Sequence, residues 1–269
     1  MSEHIRDLFD LTGKVAFVTG GSRNLGYDMA LALAEAGANV AITSRTFRDA
    51  ESAAATIEKA TGSTALALEL DVTDEIAVER TVDRILDHFS AIDILINNAG
   101  NVVSSPDNAP LEQRPSELWH QTIDVNLNGV FYCSKHVIAK AMKPRRSGVI
   151  VHIGSTAGIV GKDRRVYIGT AIGGATIDYH AAKGAVVNMT RDMAVSLAAD
   201  HIRVNCISPG GFERGQPERF IIAYNQTVPM QRMGIDGKEM KGAVVFLASE
   251  ASSYVTGHNL VVDGGLSAW

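Results

Sequence analysis

Short apolar runs of strand length recur along the chain, at residues 15–18, 40–42, 65–70, 92–96, 149–153, 204–207 and 260–262, and longer segments with helical spacing separate most of them. Strands alternating with helices argue for βαβ units, in which parallel strands are joined by crossovers. The runs are apolar throughout, not at every second position. That pattern belongs to strands covered on both faces, so the expected fold class is α/β with a doubly wound parallel sheet. The helical segments span 25–36, 50–60, 74–89, 116–142, 179–199 and 236–248. Gly37 and Gly62 follow the first two, where a left-handed cap would sit. Thr73 or Asp74 caps the third, and Pro115-Ser116 opens the fourth, which should stop before Pro144.

At 269 residues the chain is long enough for one domain or two, but no linker or repeat interrupts the alternation, so one domain over 1–269 is expected. With 46% hydrophobic and 20% charged residues, disordered and fibrous classes are excluded. The 25 Lys+Arg against 30 Asp+Glu give a formal charge of −5, without the basic footprint that a phosphate backbone demands; nucleic acid is not an expected partner. Cys133 and Cys206 lie in apolar stretches and make no disulfide framework, which fits a reducing, cytoplasmic setting. No segment approaches ~18 uninterrupted apolar residues and the first residues lack a signal-peptide core, so a soluble protein without membrane association is expected. No His/Cys/Asp cluster has metal-ligand spacing.

Three irregular stretches, 101–115, 155–178 and 208–234, follow strands. In an open α/β sheet ligands bind outside the carboxyl ends of the strands, which makes these stretches site candidates. The first strand enters Thr19-Gly20-Gly21-Ser22-Arg23-Asn24-Leu25-Gly26 and then a helix. Glycines there permit a tight turn and let a pyrophosphate approach the positive helix end, although such a turn can also be purely structural. About 20 residues beyond such a turn a carboxylate would bind the ribose 2′-hydroxyl of NAD. This chain has Ser44-Arg45 instead, and Arg45 offers a forked donor for a 2′-phosphate, so NADP(H) is the expected cofactor.

Tyr179 and Lys183 are four residues apart and share one face of a helix. A neighbouring ammonium lowers the pKa of a phenol, turning tyrosine into a workable acid/base. Around this pair stand Asn97-Asn98-Ala99-Gly100 after a strand, Asn126 in a helix, Ser155 after a strand, Ser208-Pro209-Gly210 after another, and the closing Asp263-Gly264-Gly265. In this order, from Lys14 to Gly265, the chain resembles the short-chain dehydrogenase/reductase family.

The resemblance implies a single Rossmann-type domain and an NAD(P)-dependent oxidoreductase that interconverts a secondary alcohol and a ketone by hydride transfer. It implies that Tyr179 exchanges the proton of the reacting oxygen, that Ser155 hydrogen-bonds that oxygen, and that Lys183 tunes Tyr179 and holds the nicotinamide ribose. Asn126 would anchor a water linking Lys183 to solvent. The dinucleotide would lie against Gly20, Ser22, Arg23, Asn24, Leu25, Gly26, Ser44, Arg45, Asn98, Ala99, Gly100, Tyr179, Lys183, Pro209 and Gly210, with Asp71 and Val72 at the adenine. Arg23 would add to the NADP(H) preference. A homotetramer is also implied, with the helices starting near Ser116 and Tyr179 pairing across one interface and the C-terminus, including Trp269, across another.

Two departures stand out. Asn24 replaces the family's usual second glycine; asparagine tolerates positive φ better than most residues. The stretch around 156–178, between Ser155 and Tyr179, is longer than in most members. It is either a tolerated surface insertion or the rim of a substrate pocket in which Arg164 or Arg165 meets an anionic or hydroxyl-rich substrate. The segment around 210–234, with Phe212, Glu213, Arg214, Gln216, Arg219 and Phe220, corresponds to a lid whose polarity suggests a small polar ketone or alcohol. By resemblance the sugar-modifying members, gluconate 5-dehydrogenases among them, fit best. A 3-oxoacyl-(acyl-carrier-protein) reductase is an alternative, as is a non-enzymatic nucleotide sensor, which the presence of Ser155, Tyr179 and Lys183 together disfavours. His152, on a buried strand, is expected to be structural, and His180 to occupy a different helical face from Tyr179.

Overall fold

Each apolar run becomes a strand: β1 (Val15–Val18), β2 (Asn39–Ser44), β3 (Ala65–Glu69), β4 (Ile94–Asn97), β5 (Gly148–Ile153), β6 (Ile202–Pro209) and β7 (Asn259–Val262). The computed structural model describes residues 4–101, 111–170, 172–174 and 176–269; most of the irregular stretch expected at 101–115 lies outside them. All strands pair in parallel, in the order β3-β2-β1-β4-β5-β6-β7. The strand order reverses between β1 and β4. Alternation explains why the runs are apolar at every position: Ala16 and Val18 enter the core on one face, Val15 and Phe17 the core on the other. Burying a side chain such as Phe17, which is fully enclosed, stabilises the fold by roughly 1.5–3 kcal/mol.

One face is covered by α1 (Asn24–Glu35), α2 (Phe47–Thr61) and α9 (Glu239–Ala248), and the other by α3 (Glu75–Phe89), α5 (Gly129–Val137) and α7 (Ile177–Leu197). The punctuation acts as expected. Gly62 closes α2 at φ 76°, and at the start of α3 it is Asp74 that caps, its carboxylate accepting from Ala77 N at 3.0 Å.

The helix expected at 116–142 is interrupted and longer. α4 (Ser116–Ile123) passes through a π turn (Asp124–Asn128) into α5, then through a second π turn (Ile138–Met142) into α6 (Lys143–Arg145). The chain therefore stays helical past Pro144, just after a π turn that loosens the ladder at the point where proline supplies no N–H. The long segment before Tyr179 is not a free surface loop. Its short helical turn Arg164–Tyr167 packs Val166 and Tyr167 against Phe220 and Tyr224 of α8 (Glu218–Asn225), a helix absent from the sequence reading. Among the described residues no helix is long and apolar enough to cross a membrane.

Candidate active site

At the carboxyl end of the sheet, where the strand order reverses, lies a cavity of about 340 Å³. Its walls come from the turn after β1, the ends of β2, β3 and β4, and α7. Every residue assigned to the dinucleotide from the sequence lines it except Gly210, which lines a neighbouring cavity of about 570 Å³. Asn101 and Gly154 line the first cavity as well, without having been singled out from the sequence, and so does Arg214. Arg214 was assigned to the lid; here its guanidinium is gripped by Asp236 at 2.6 and 2.7 Å.

The turn after β1 is shaped for close approach. A Cβ at Gly26 would collide with Gly20 O and the Asn98 side chain, and Asn24 takes φ 51°, the left-handed conformation that asparagine was expected to tolerate. No side chain caps α1, whose leading amides border the cavity with their partial positive charge. Asn98 supports this turn from behind: its side-chain amide donates to Thr19 O and Gly20 O at 2.9 and 3.0 Å, while Asn98 N and Ala99 N donate to Thr19 Oγ1 at 3.0 Å. Arg23 and Arg45 are exposed on the wall. The carboxylate of Asp71 is engaged locally, accepting from Thr73 N at 3.0 Å and Thr73 Oγ1 at 2.8 Å.

The two cavities meet at Tyr179, which lines both. Its hydroxyl is hydrogen-bonded to Ser155, whose Oγ also accepts from Ala157 N at 3.1 Å. Lys183 is buried on the next helical turn, its Nζ 5.7 Å from the Tyr179 ring centre and donating to Ile153 O at 2.7 Å. Burial lowers the Lys183 pKa to about 8. The expected effect on Tyr179 is reversed: burial raises the phenol above its ordinary value, and the Ser155 hydrogen bond offsets this only in part. Spacing along a helix foretold proximity, but desolvation dominates the titration.

Asn126 sits in the first π turn, fully buried, and clamps the backbone of Asn101: Nδ2 donates to Asn101 O at 2.7 Å and to Thr122 O at 2.9 Å, and Oδ1 accepts from Asn101 N at 3.3 Å. A Cβ on Gly100 would lie 3.0 Å from Asn126 Oδ1 and 3.7 Å from Lys183 Nζ, so the three groups converge. His152 is fully buried and contacts Asn97 Nδ2 at 3.1 Å, a structural position as expected. His180, the next residue of the helix and so about 100° round it from Tyr179, also lines the second cavity; its Nδ1 donates to Thr176 O at 2.9 Å.

The second cavity is roofed by the long segment and by α8. Arg165 is at its rim, with 86% of the side chain exposed and bound to Asp163 at 2.8 Å, whereas Arg164 does not line it. Lys162 does. The polar lid residues Glu213, Glu218 and Arg219 face solvent, so lid polarity carries less about the substrate than the sequence suggested; Tyr224, Gln226 and Thr227 form that wall instead. Trp269, expected at a neighbouring subunit, borders this same cavity and donates from Nε1 to Thr227 O at 3.3 Å.

A family model described as "Enoyl-(Acyl carrier protein) reductase" matches residues 20–267. Gluconate 5-dehydrogenase of Gluconobacter oxydans is 37% identical over 267 residues, 97% of this chain and 97% of the relative. 3-Oxoacyl-(acyl-carrier-protein) reductase of Vibrio harveyi is 37% identical over 261 residues, 96% and 98% of the two chains. A solved gluconate 5-dehydrogenase from Burkholderia cenocepacia, in complex with NADP and tartrate, superposes with a TM-score of 0.88 at 33% identity, covering 99% of this chain and 100% of the other.

Proposed function

The chain belongs to the short-chain dehydrogenase/reductase family of oxidoreductases acting on CH–OH groups, and we propose that it interconverts a secondary alcohol and a ketone with NADP(H), on a polar sugar-acid or polyol-like substrate. The observation that carries this reading is the hydrogen-bonded Ser155–Tyr179 pair at the seam between the cavity lined by the glycine turn and a second cavity. A single domain over 1–269 contains both.

The first cavity suits a 2′-phosphorylated dinucleotide. The uncapped start of α1 accepts a pyrophosphate, Ser44, Arg45 and Arg23 lie where the 2′-phosphate would fall, and Asp71 is already satisfied by Thr73. When bound, the reduced nicotinamide supplies a hydride to the carbonyl carbon. The protein's own part is placement and proton handling. Ser155 orients the substrate oxygen. Tyr179, held as a neutral phenol by burial, donates its proton to that oxygen in reduction and recovers it in oxidation. Lys183, with a pKa near 8, keeps an ammonium beneath the ribose position at neutral pH. Asn126 holds Gly100 and Asn101 against Lys183.

Assembly as a homotetramer belongs to the same proposal. Phe131 on α5 and Val195 on α7 are large apolar side chains left 51% and 82% exposed, and light scattering measures the assembly.

The deciding experiment is turnover of a panel of sugar acids, polyols, small ketones and an acetoacetyl thioester with NADPH and NADH. Tyr179→Phe should lower kcat by about 10²–10⁴-fold while NADPH binding stays within a few-fold of wild type. Undiminished turnover in that variant would refute the assignment, and preference for the thioester would move the enzyme to the acyl-reductase class.

A further inference from the structure

We propose that Tyr224 is a substrate-binding residue of the second cavity, whose phenol O–H donates to a hydroxyl oxygen of the substrate and so favours polyhydroxylated ketones over plain ones. The proposal rests on the ketone/alcohol reading above and names the group by which the same site selects its substrate.

Tyr224 lies on the last turn of α8 and lines the cavity that Ser155 and Tyr179 also line. Its hydroxyl reaches the backbone of Gly210-Gly211, which is wall of that cavity too and directly follows Pro209 of the first. There Gly211 N donates to Tyr224 Oη at 2.7 Å. The approach is possible because residue 211 is glycine: a Cβ there would lie 2.7 Å from Tyr224 Cζ and 2.8 Å from Oη. Phe220 packs on the ring with centroids 5.7 Å apart, and Thr227 Oγ1 donates to Tyr224 O at 2.7 Å, so ring and backbone are both held. The hydroxyl is thereby placed before any ligand arrives, which lowers the ordering cost of binding.

What remains on this oxygen is a donor. Gly211 N occupies an acceptor site, and among the described residues the phenol's own proton has no acceptor. Burial raises the Tyr224 pKa above its ordinary value, outweighing the Gly211 hydrogen bond, so the proton stays in place at neutral pH. Two neighbouring hydroxyls are already committed: Thr227 to Tyr224 O, and Ser155 to Tyr179 and Ala157 N. A polyol chain offers several oxygens that can accept from Tyr224. A plain ketone offers only its carbonyl, which the Ser155–Tyr179 pair takes. Binding it leaves the Tyr224 donor unpaired, the condition under which a site built for a substrate hydroxyl rejects the analogue lacking it.

The test compares wild type and Tyr224→Phe in NADPH-dependent reduction of L-sorbose and of cyclohexanone. The kcat/KM ratio of sorbose to cyclohexanone should fall by about 5- to 50-fold in the variant, through KM for sorbose more than through kcat. Loss of the acceptor for Gly211 N is common to both ketones and cancels in the ratio. A purely structural role therefore leaves the ratio unchanged, and an unchanged ratio overturns the proposal. Phenylalanine keeps the ring among Phe220 and Met233, and NADP binding by the variant reports an intact fold.

Calorimetric titration of sorbitol and of cyclohexanol into the full chain, with NADP present, decides independently of turnover. If wild type reduces neither ketone, the catalytic reading fails, yet sorbitol binding that weakens by about 5- to 50-fold more than cyclohexanol binding in Tyr224→Phe still supports the subsite. Sorbitol bound no tighter than cyclohexanol by wild type, or weakened equally with it in the variant, overturns the proposal.

Discussion

Arg114 Nη2 donates to Asp178 Oδ2 at 2.7 Å with 6% and 0% of the two side chains exposed, so an ion pair sealed from water immediately precedes Tyr179. Arg114 also reaches Thr176 Oγ1 at 3.4 Å, tying the segment before α4 to the first turn of α7. Burial raises the Asp178 pKa, but hydrogen bonds from Arg114, Thr122 and Thr176 outweigh it and keep the carboxyl below its usual value. Removing one partner strands a buried charge. Arg114→Met should therefore destabilise the protein by about 3–5 kcal/mol in urea unfolding and lower kcat by displacing Tyr179. Adding Asp178→Asn should recover ~1 kcal/mol or more, because the two residues act as a unit. Strict additivity, or a single-variant loss below 1 kcal/mol, would refute the coupling.

The cofactor assignment turns on Arg45. If its guanidinium meets a 2′-phosphate, Arg45→Asp places a carboxylate against that phosphate and offers an acceptor to a 2′-hydroxyl instead. The ratio of kcat/KM for NADPH over NADH should fall by about 100-fold or more, equivalent to ~2.7 kcal/mol. A ratio that does not move would assign specificity elsewhere.

Two glycines make an internal contrast. Gly26→Ala would drive a methyl group into Gly20 O and the Asn98 amide, and should cost roughly 1–3 kcal/mol together with most of the dinucleotide affinity. Gly242, in α9, has open space around its Cβ position and an ordinary helical φ, so Gly242→Ala should stabilise by roughly 0.5–1 kcal/mol. Thermal melts with and without NADP report both effects.

His152 predicts an acid sensitivity. Burial, with a smaller contribution from the Lys183 charge, lowers its pKa from 6.5 to about 3, so the folded protein keeps it neutral. Below pH 6.5 the unfolded chain takes up a proton that the folded chain refuses, and stability falls with pH from there toward 3. By pH 5 this contribution is about 2 kcal/mol. His152→Gln should narrow the difference in unfolding free energy between pH 7 and pH 5 by about that amount, and an unchanged difference would show that other groups govern acid lability.

Much of the architecture was legible because its signals are local. Strands buried on both faces need apolar residues at every position, and the runs at 15–18 and 149–153 announce that without reference to the rest of the chain. Asn24 is readable in the same way, since positive φ is a property of a single residue, and so is the spacing that brings Tyr179 within one turn of Lys183.

Other features depend on segments remote in sequence. Asn98 was assigned to the dinucleotide and lines the first cavity, but its second part, an amide that braces Thr19 O and Gly20 O nearly eighty residues away along the chain, could not be read from its neighbours. Arg164 or Arg165 was one candidate for an anion contact, and the guanidinium of Arg165 is bound by Asp163. The helix α8 was missed because its polar residues obscure the few apolar ones, and Phe220 finds its partners only when the long segment folds over it. The Tyr179 phenol titrates high, not low, for the same reason. Periodicity is a property of neighbouring residues, whereas desolvation and hydrogen-bond commitment depend on everything the fold packs around a group.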